Sequence, residues 1–177
     1  MMKPLSTERG LSDVMTTATT TRPTPTTETV IAGLHRQQAN GMVLYQNIKK
    51  YHWNTYGPLF RDIHLLFDEQ ATAIIDTVDE FAERALMIDG KPLSDPADYL
   101  KTATVKPSVG ALGLDAMVAE AVAAHDVVIG EMHTDADDAT QSGDIGTADL
   151  YTRLVQAYQK QRWFLKELLK KSDGLVN

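Results

Sequence analysis

Five residues of this 177-residue chain carry side chains suited to a divalent metal: His52, His64, Asp68, Asp79 and Glu83. Imidazole and carboxylate together form a donor set that iron or zinc accepts. His64, Asp68, Asp79 and Glu83 lie in one proline-free stretch. At 3.6 residues per turn they stand at roughly 0°, 40°, 60° and 100° round a helix, on one face. They cannot hold a single ion within one chain, because the two pairs are centred about fifteen residues, or ~22 Å, apart along the axis, and metal–ligand bonds are only about 2 Å. The numbering offers a resolution. His64 with Glu83, and Asp68 with Asp79, are both centred between positions 73 and 74. Two antiparallel copies of this helix, related by a two-fold axis there, bring both pairs together at once. Each dimer then carries two equivalent sites, and each site draws on two chains. Small Ala71 and Ala73 near the axis are expected to permit close approach, and His52 completes the His64/Asp68 half. For any one of these residues alone, a solvated helix face or an ordinary structural histidine is the plainer explanation. The matched set and its shared register point to metal.

The elements that must position these groups are helices. From Val30, apolar residues recur at three- and four-residue steps (Ile31, Leu34, Gly41, Leu44, Ile48, Tyr51), and Gly57-Pro58 ends that run. A second helix is expected over residues 59–88, built on Ile63, Phe67, Ile74, Val78, Phe81 and Ala85, with Asp89-Gly90 as its stop. Residues 89–110 contain Pro92, Pro96 and Pro107 and form a long connection, in which Ser94-Asp95-Pro96 starts a short helix reaching about Leu100. A third long helix is expected over 112–136, on Met117, Val118, Ala121, Val122, Val128, Ile129 and Met132. A loop around Gly143–Gly146 separates it from a fourth over 147–171, on Leu150, Leu154, Tyr158, Leu165 and Leu168. No alternating strand pattern is present. The expected fold class is all-α: a four-helix bundle with one crossover.

Composition bounds the rest. The length suits one domain. The absence of cysteine excludes disulfides, thiolate zinc sites, iron–sulfur clusters and a cysteine nucleophile. Residues 1–29 hold ten threonines and balanced charge, and are expected to be a flexible arm ahead of the bundle, residues 30–177. The whole formal charge of −7 therefore resides in the bundle, where 14 basic residues face 21 acidic ones. An acidic surface attracts cations and repels phosphate backbones. No segment approaches the ~20 apolar residues of a membrane span, and the N-terminus lacks an apolar run of signal-peptide type, so the expectation is a cytoplasmic protein.

The stretch YHWNTYGPLFRDIHLLFDEQ, followed by DTVDEFAERALMIDG, resembles the Dps family, the ferritin-like DNA-protection-during-starvation proteins. The resemblance spans roughly residues 30–172. It rests on His52-Trp53, Gly57, Phe60, His64, Asp68, and Asp79 with Ala82-Glu83-Arg84, and on ADLYTRLVQAYQKQRWFL near the end. It implies a ferritin-like four-helix bundle with a short helix between the second and third long helices, and a homo-oligomeric shell of twelve subunits built from two-fold dimers. It further implies an inter-subunit ferroxidase site in which Asp79 and Glu83 of one chain meet His52, His64 and Asp68 of its mate. Ferrous iron would be oxidised there, by hydrogen peroxide in preference to dioxygen, and stored inside as ferric mineral, protecting DNA and cell. Zinc would be a competitor. Trp53 would carry or scavenge an electron hole, or else simply pack at a dimer contact. Classical di-iron bundles with Glu-x-x-His motifs fit less well, since no glutamate here precedes a histidine by three.

The sequence departs from the family pattern at Leu65, where many members have a glutamate assigned to mineral nucleation; Glu69 is a partial substitute. Asp135, Asp137, Asp138, Asp144 and Asp149 cluster around the expected loop between the third and fourth helices. Asp149, and less so Asp144, match acidic residues that line an iron-entry pore in the family; a solvated loop accounts for the rest. His125 and His133 are read as structural or surface residues. DNA binding is expected to be weak, because the arm carries one lysine, two arginines and no net side-chain charge. Two other functions fit the same composition: a DNA-compacting, nucleoid-associated structural protein with weak iron chemistry, and a dimeric zinc-binding helical protein without a shell.

Overall fold

The computed structural model describes residues 24–110 and 112–170. Most of the expected arm, residues 1–23, lies outside them, as do Lys171 and the residues after it. The described residues form five helices and no strand: α1 (Thr27–Asn54), α2 (Phe60–Met87), α3 (Pro96–Thr102), α4 (Leu114–Gln141) and α5 (Ile145–Leu168). α1/α2 and α4/α5 are two helical hairpins. They pack with α1 on α4 and α2 on α5, both antiparallel, as the pairs Gln37–Asp135, Tyr51–Glu120, Gln70–Gln161 and Arg84–Thr147 establish. The crossover carrying α3 returns the chain along α1. This is the expected four-helix bundle with a short crossover helix.

Several boundaries move, each for a local reason. α1 begins at Thr27 rather than Val30, because Thr26 and Thr29 close a reciprocal capping box. Thr27–Thr29 thus belong to the bundle and not to the arm. The loop expected at Gly143–Gly146 is shorter. Gly143, at φ +82°, makes the turn, and Asp144 caps α5 by accepting from Thr147 N–H, so Gly146 is helical. Gly146 breaks nothing; its missing Cβ leaves room for Arg84, whose Nη2 would stand 2.8 Å from that atom. α4 runs on to Gln141. Asp138, expected in a solvated loop, therefore belongs to the helix, and it is buried there with Asp135, which stands inside the expected helix near its end. α5 ends at Leu168, which is exposed; Tyr151 takes the interior position expected of Leu150, which is only half-buried.

The core joins Leu34, Leu44, Ile48 and Tyr51 of α1 to Phe67, Ile74 and Phe81 of α2, Met132 of α4 and Tyr151, Leu154, Tyr158 and Leu165 of α5, all fully buried. The crossover is held by amides on α1. Asn40 Oδ1 accepts from Thr104 N–H and Val105 N–H, Asn47 Oδ1 accepts from Ser108 N–H, and Gln38 exchanges bonds with both main-chain groups of Leu93. These amides sit among the apolar stripe positions of α1, so periodicity does not reveal them. At Gly41 the α1/α2 contact is tightest, since an added Cβ would stand 2.6 Å from Val78 Cγ2.

Candidate metal centre

The register of the α1/α2 hairpin juxtaposes the end of α1 and the start of α2. His52 and His64 stack, with ring centroids 3.7 Å apart and planes 23° from parallel. Their Nδ1 atoms reach each other's main-chain carbonyls, at 2.8 Å for His52 to His64 and 3.0 Å for the reverse. A carbonyl only accepts, so both Nδ1 atoms carry hydrogen. In the neutral ring this fixes the tautomer whose Nε2 carries the lone pair, which is the arrangement of a metal-ligating histidine oriented by a backbone acceptor. Phe60 lies against His64, at 4.9 Å between centroids.

Asp68, one turn beyond His64, places Oδ1 4.0 Å from His52 Nε2, too long for a hydrogen bond. Lys49 takes that oxygen instead, its Nζ donating to Asp68 Oδ1 at 2.7 Å. That bond holds the Asp68 carboxyl below the usual carboxylate range. The ammonium also lies 5.8 Å from the centroid of the Trp53 ring, which is 66% exposed. Sequence reading passed over Lys49. The signal was its place three residues before His52, on the same face of α1.

Asp79 and Glu83 are farther along α2, both exposed. Among the described residues no group of three or more His, Asp or Glu side chains stands close enough to hold an ion within this chain. His52, His64 and Asp68 are brought together; Asp79 and Glu83 are not brought to them. All five reach the accessible surface of the hairpin; the four on α2 (His64, Asp68, Asp79 and Glu83) stand roughly 120° round that helix from the stripe of Phe67, Ala71, Ile74 and Phe81. Ala71 is buried in that stripe and is not on the face assigned to it, whereas Ala73 is exposed.

The remaining sites separate. Leu65 and Glu69 are exposed. Asp149 is exposed in the first turns of α5 and lines a surface depression with Glu80, Glu83, Arg84 and Arg153. Asp144 is committed to structure: it caps α5 and pairs with Arg84 at 2.6 Å. Partial burial pushes its carboxyl up, but the bonds from Thr147 and Arg84 outweigh this and hold it below the usual range. Asp135 is paired with Arg36 and Gln37 inside the bundle, and burial pushes its carboxyl up. His125 is fully buried, its nitrogens engaged by Ala121 O and the Gln161 side chain, and its pKa is lowered by burial. His133 and Asp137 are exposed. No described helix is long and apolar enough to cross a membrane.

The ferritin-like domain family matches residues 31–175. DNA protection during starvation protein 1 of Deinococcus radiodurans is 34% identical over 143 residues, covering 80% of this chain and 69% of that protein. The DNA protection during starvation protein of Brevibacillus brevis is 34% identical over 136 residues, covering 77% of this chain and 91% of its own. Among solved structures, Dps from Thermosynechococcus elongatus is 63% identical and superposes with a TM-score of 0.83, over 85% of this chain and 96% of that one. The Dps protein of Vibrio cholerae, described as belonging to a broad superfamily of ferritin-like diiron-carboxylate proteins, is 28% identical with a TM-score of 0.78, over 81% and 91% of the two chains. With its bundle, its crossover helix and these relatives, the chain belongs to the Dps family of ferritin-like proteins.

Proposed function

We propose that this protein is a mini-ferritin that oxidises ferrous iron at sites shared between two-fold-related chains and stores the ferric product inside a twelve-subunit shell in the cytoplasm. The observation that carries the reading is the pair His52 and His64, each locked with Nε2 available, beside Asp68. Alone this is half a site, and exposed Asp79 and Glu83 on the same helix are the complementary half a second copy would offer. Iron is the substrate. In this reading the imidazoles and carboxylates hold ferrous ions, each ion gives up one electron, and two electrons with two protons reduce hydrogen peroxide to two waters. Consuming iron and peroxide together releases no hydroxyl radical, which accounts for protection. Zinc suits the same donors and would compete. In the same reading Trp53, next to His52 and exposed, would take up a stray electron hole, and exposed Asp149 would line an entry route for cations.

The test is size-exclusion chromatography after anaerobic ferrous loading and peroxide addition. Iron co-eluting with a particle near twelve times 19.5 kDa, roughly 234 kDa, is the expected result. Small protein with precipitated iron would overturn the shell and leave a dimeric zinc site as the surviving reading. Asp79→Ala combined with Glu83→Ala should abolish fast peroxide-driven oxidation while leaving the particle assembled; fast oxidation in the intact double variant would refute the site. The relatives are named for DNA protection during starvation, and a second reading is DNA compaction with weak iron chemistry. Removing the arm separates the two: lost condensation with unchanged iron oxidation keeps the enzyme.

A further inference from the structure

The Asp68 carboxylate is met by a cation that the chain itself supplies. Lys49 Nζ lies 2.7 Å from Asp68 Oδ1, and this same oxygen stands 4.0 Å from His52 Nε2. The lysine side chain is 18% exposed and that of Asp68 is 51% exposed, so the ammonium stem is largely covered while the carboxylate remains half open to solvent. A divalent ion held by Asp68 Oδ1 and His52 Nε2 would stand only a few ångströms from that ammonium, where like charges repel strongly in a partly desolvated setting. Ammonium and metal on the same carboxylate oxygen repel each other, so each weakens the other's hold on it. Lysine, unlike arginine, is a point charge on a four-carbon stem that reorients at little cost. A second resting place is nearby: the Trp53 face, one turn farther along α1, has its centroid 5.8 Å from Nζ, within cation–π range.

We propose that Lys49 is the internal counter-ion of the metal half-site: it competes with an incoming divalent cation for Asp68 Oδ1 and withdraws toward Trp53 when the metal binds. The proposal deepens the function argued above and rests on His52, His64 and Asp68 being metal ligands. It makes Lys49 a positioning residue that lowers metal affinity. It also keeps the carboxylate from standing uncompensated beside two stacked imidazoles when no ion is present.

The experiment is an anaerobic calorimetric titration of the full-length protein with zinc, a redox-inert probe that reads binding without oxidation. Lys49→Met should bind zinc about tenfold more tightly than wild type, through loss of both the competing pair and the repulsion. Lys49→Arg, whose planar fork grips carboxylate more firmly, should bind it more weakly than wild type. Each variant is first shown by size exclusion to elute as wild type does. Zinc binding that depends on Asp68 and His64 but is unchanged or weakened in Lys49→Met would overturn the proposal. Wild-type zinc binding indifferent to both Asp68→Asn and His64→Ala would instead overturn the metal site itself, and this proposal with it.

Discussion

At the scale of single residues, the site depends on hydrogen bonds that pre-orient its donors. The carbonyls of His52 and His64 are as much a part of it as their rings, because each fixes the other's tautomer. His52→Ala keeps the carbonyl that His64 uses but removes one Nε2, so we expect ferrous affinity to fall about 10- to 100-fold while the fold survives; unchanged affinity in an anaerobic titration would make His52 merely structural. Lys49 stabilises the charge of Asp68 and holds its carboxyl below the usual carboxylate range.

At the scale of elements, the hairpin α1/α2 sets the spacing of the two histidines, and Gly41 sets how closely its helices approach. Gly→Ala ordinarily favours a helix, but here the methyl would meet a stiff, β-branched Val78 at 2.6 Å. Gly41→Ala is expected to destabilise by about 1–3 kcal/mol, seen as a Tm lowered by several degrees; a raised Tm would show that the helices separate freely. The crossover depends on Asn40, whose Oδ1 satisfies two backbone donors. Asn40→Ala leaves those donors unpaired, at a cost of about 1–3 kcal/mol, and hydrogen exchange should quicken at Thr104 and Val105. No loss of protection there would contradict the tether. The buried tyrosines of α1 and α5 add a pH limit. Burial pushes Tyr158 up to about 12 and also raises Tyr51 and Tyr151 well above the usual phenol value. Unfolded tyrosines ionise near pH 10. Above that pH the unfolded chain has released protons the folded chain keeps, so stability falls as pH rises, by up to about 1.4 kcal/mol per unit for each. Absorbance at 295 nm should show three of the six tyrosines ionising only as the fold melts; one smooth titration of all six near pH 10 with helix intact would contradict this.

At the scale of the whole molecule, charge and exposure decide the partners. With a net charge of −7, the protein is expected to hold DNA weakly, since its few basic contacts would be lost as salt displaces them. A gel shift persisting above about 150 mM salt would refute that expectation. Exposed Trp53, Tyr56, Leu59, Phe60 and Leu65 surround the start of α2, an apolar surface in keeping with coverage by a second copy there.

Much of this was legible in the chain before folding. Helical spacing of Leu34, Ile48, Phe67, Ile74 and Phe81 announced the core, because burial selects one face of a 3.6-residue repeat. The common face of His64, Asp68, Asp79 and Glu83 followed from the same geometry. The ends of the helices were less legible. Gly146 reads as a breaker and is a place for Arg84, while Asp138 reads as loop and is interior, because both outcomes depend on which residue arrives from another helix. The same holds for Ala71, whose direction is set by the bundle rather than by its size. Lys49 on Asp68, and the two imidazoles turned by each other's carbonyls, are contacts between residues 12 to 19 positions apart on different helices. No local periodicity encodes such contacts. They exist once hairpin packing brings the end of α1 against the start of α2, and this is where the chemistry of the site is set.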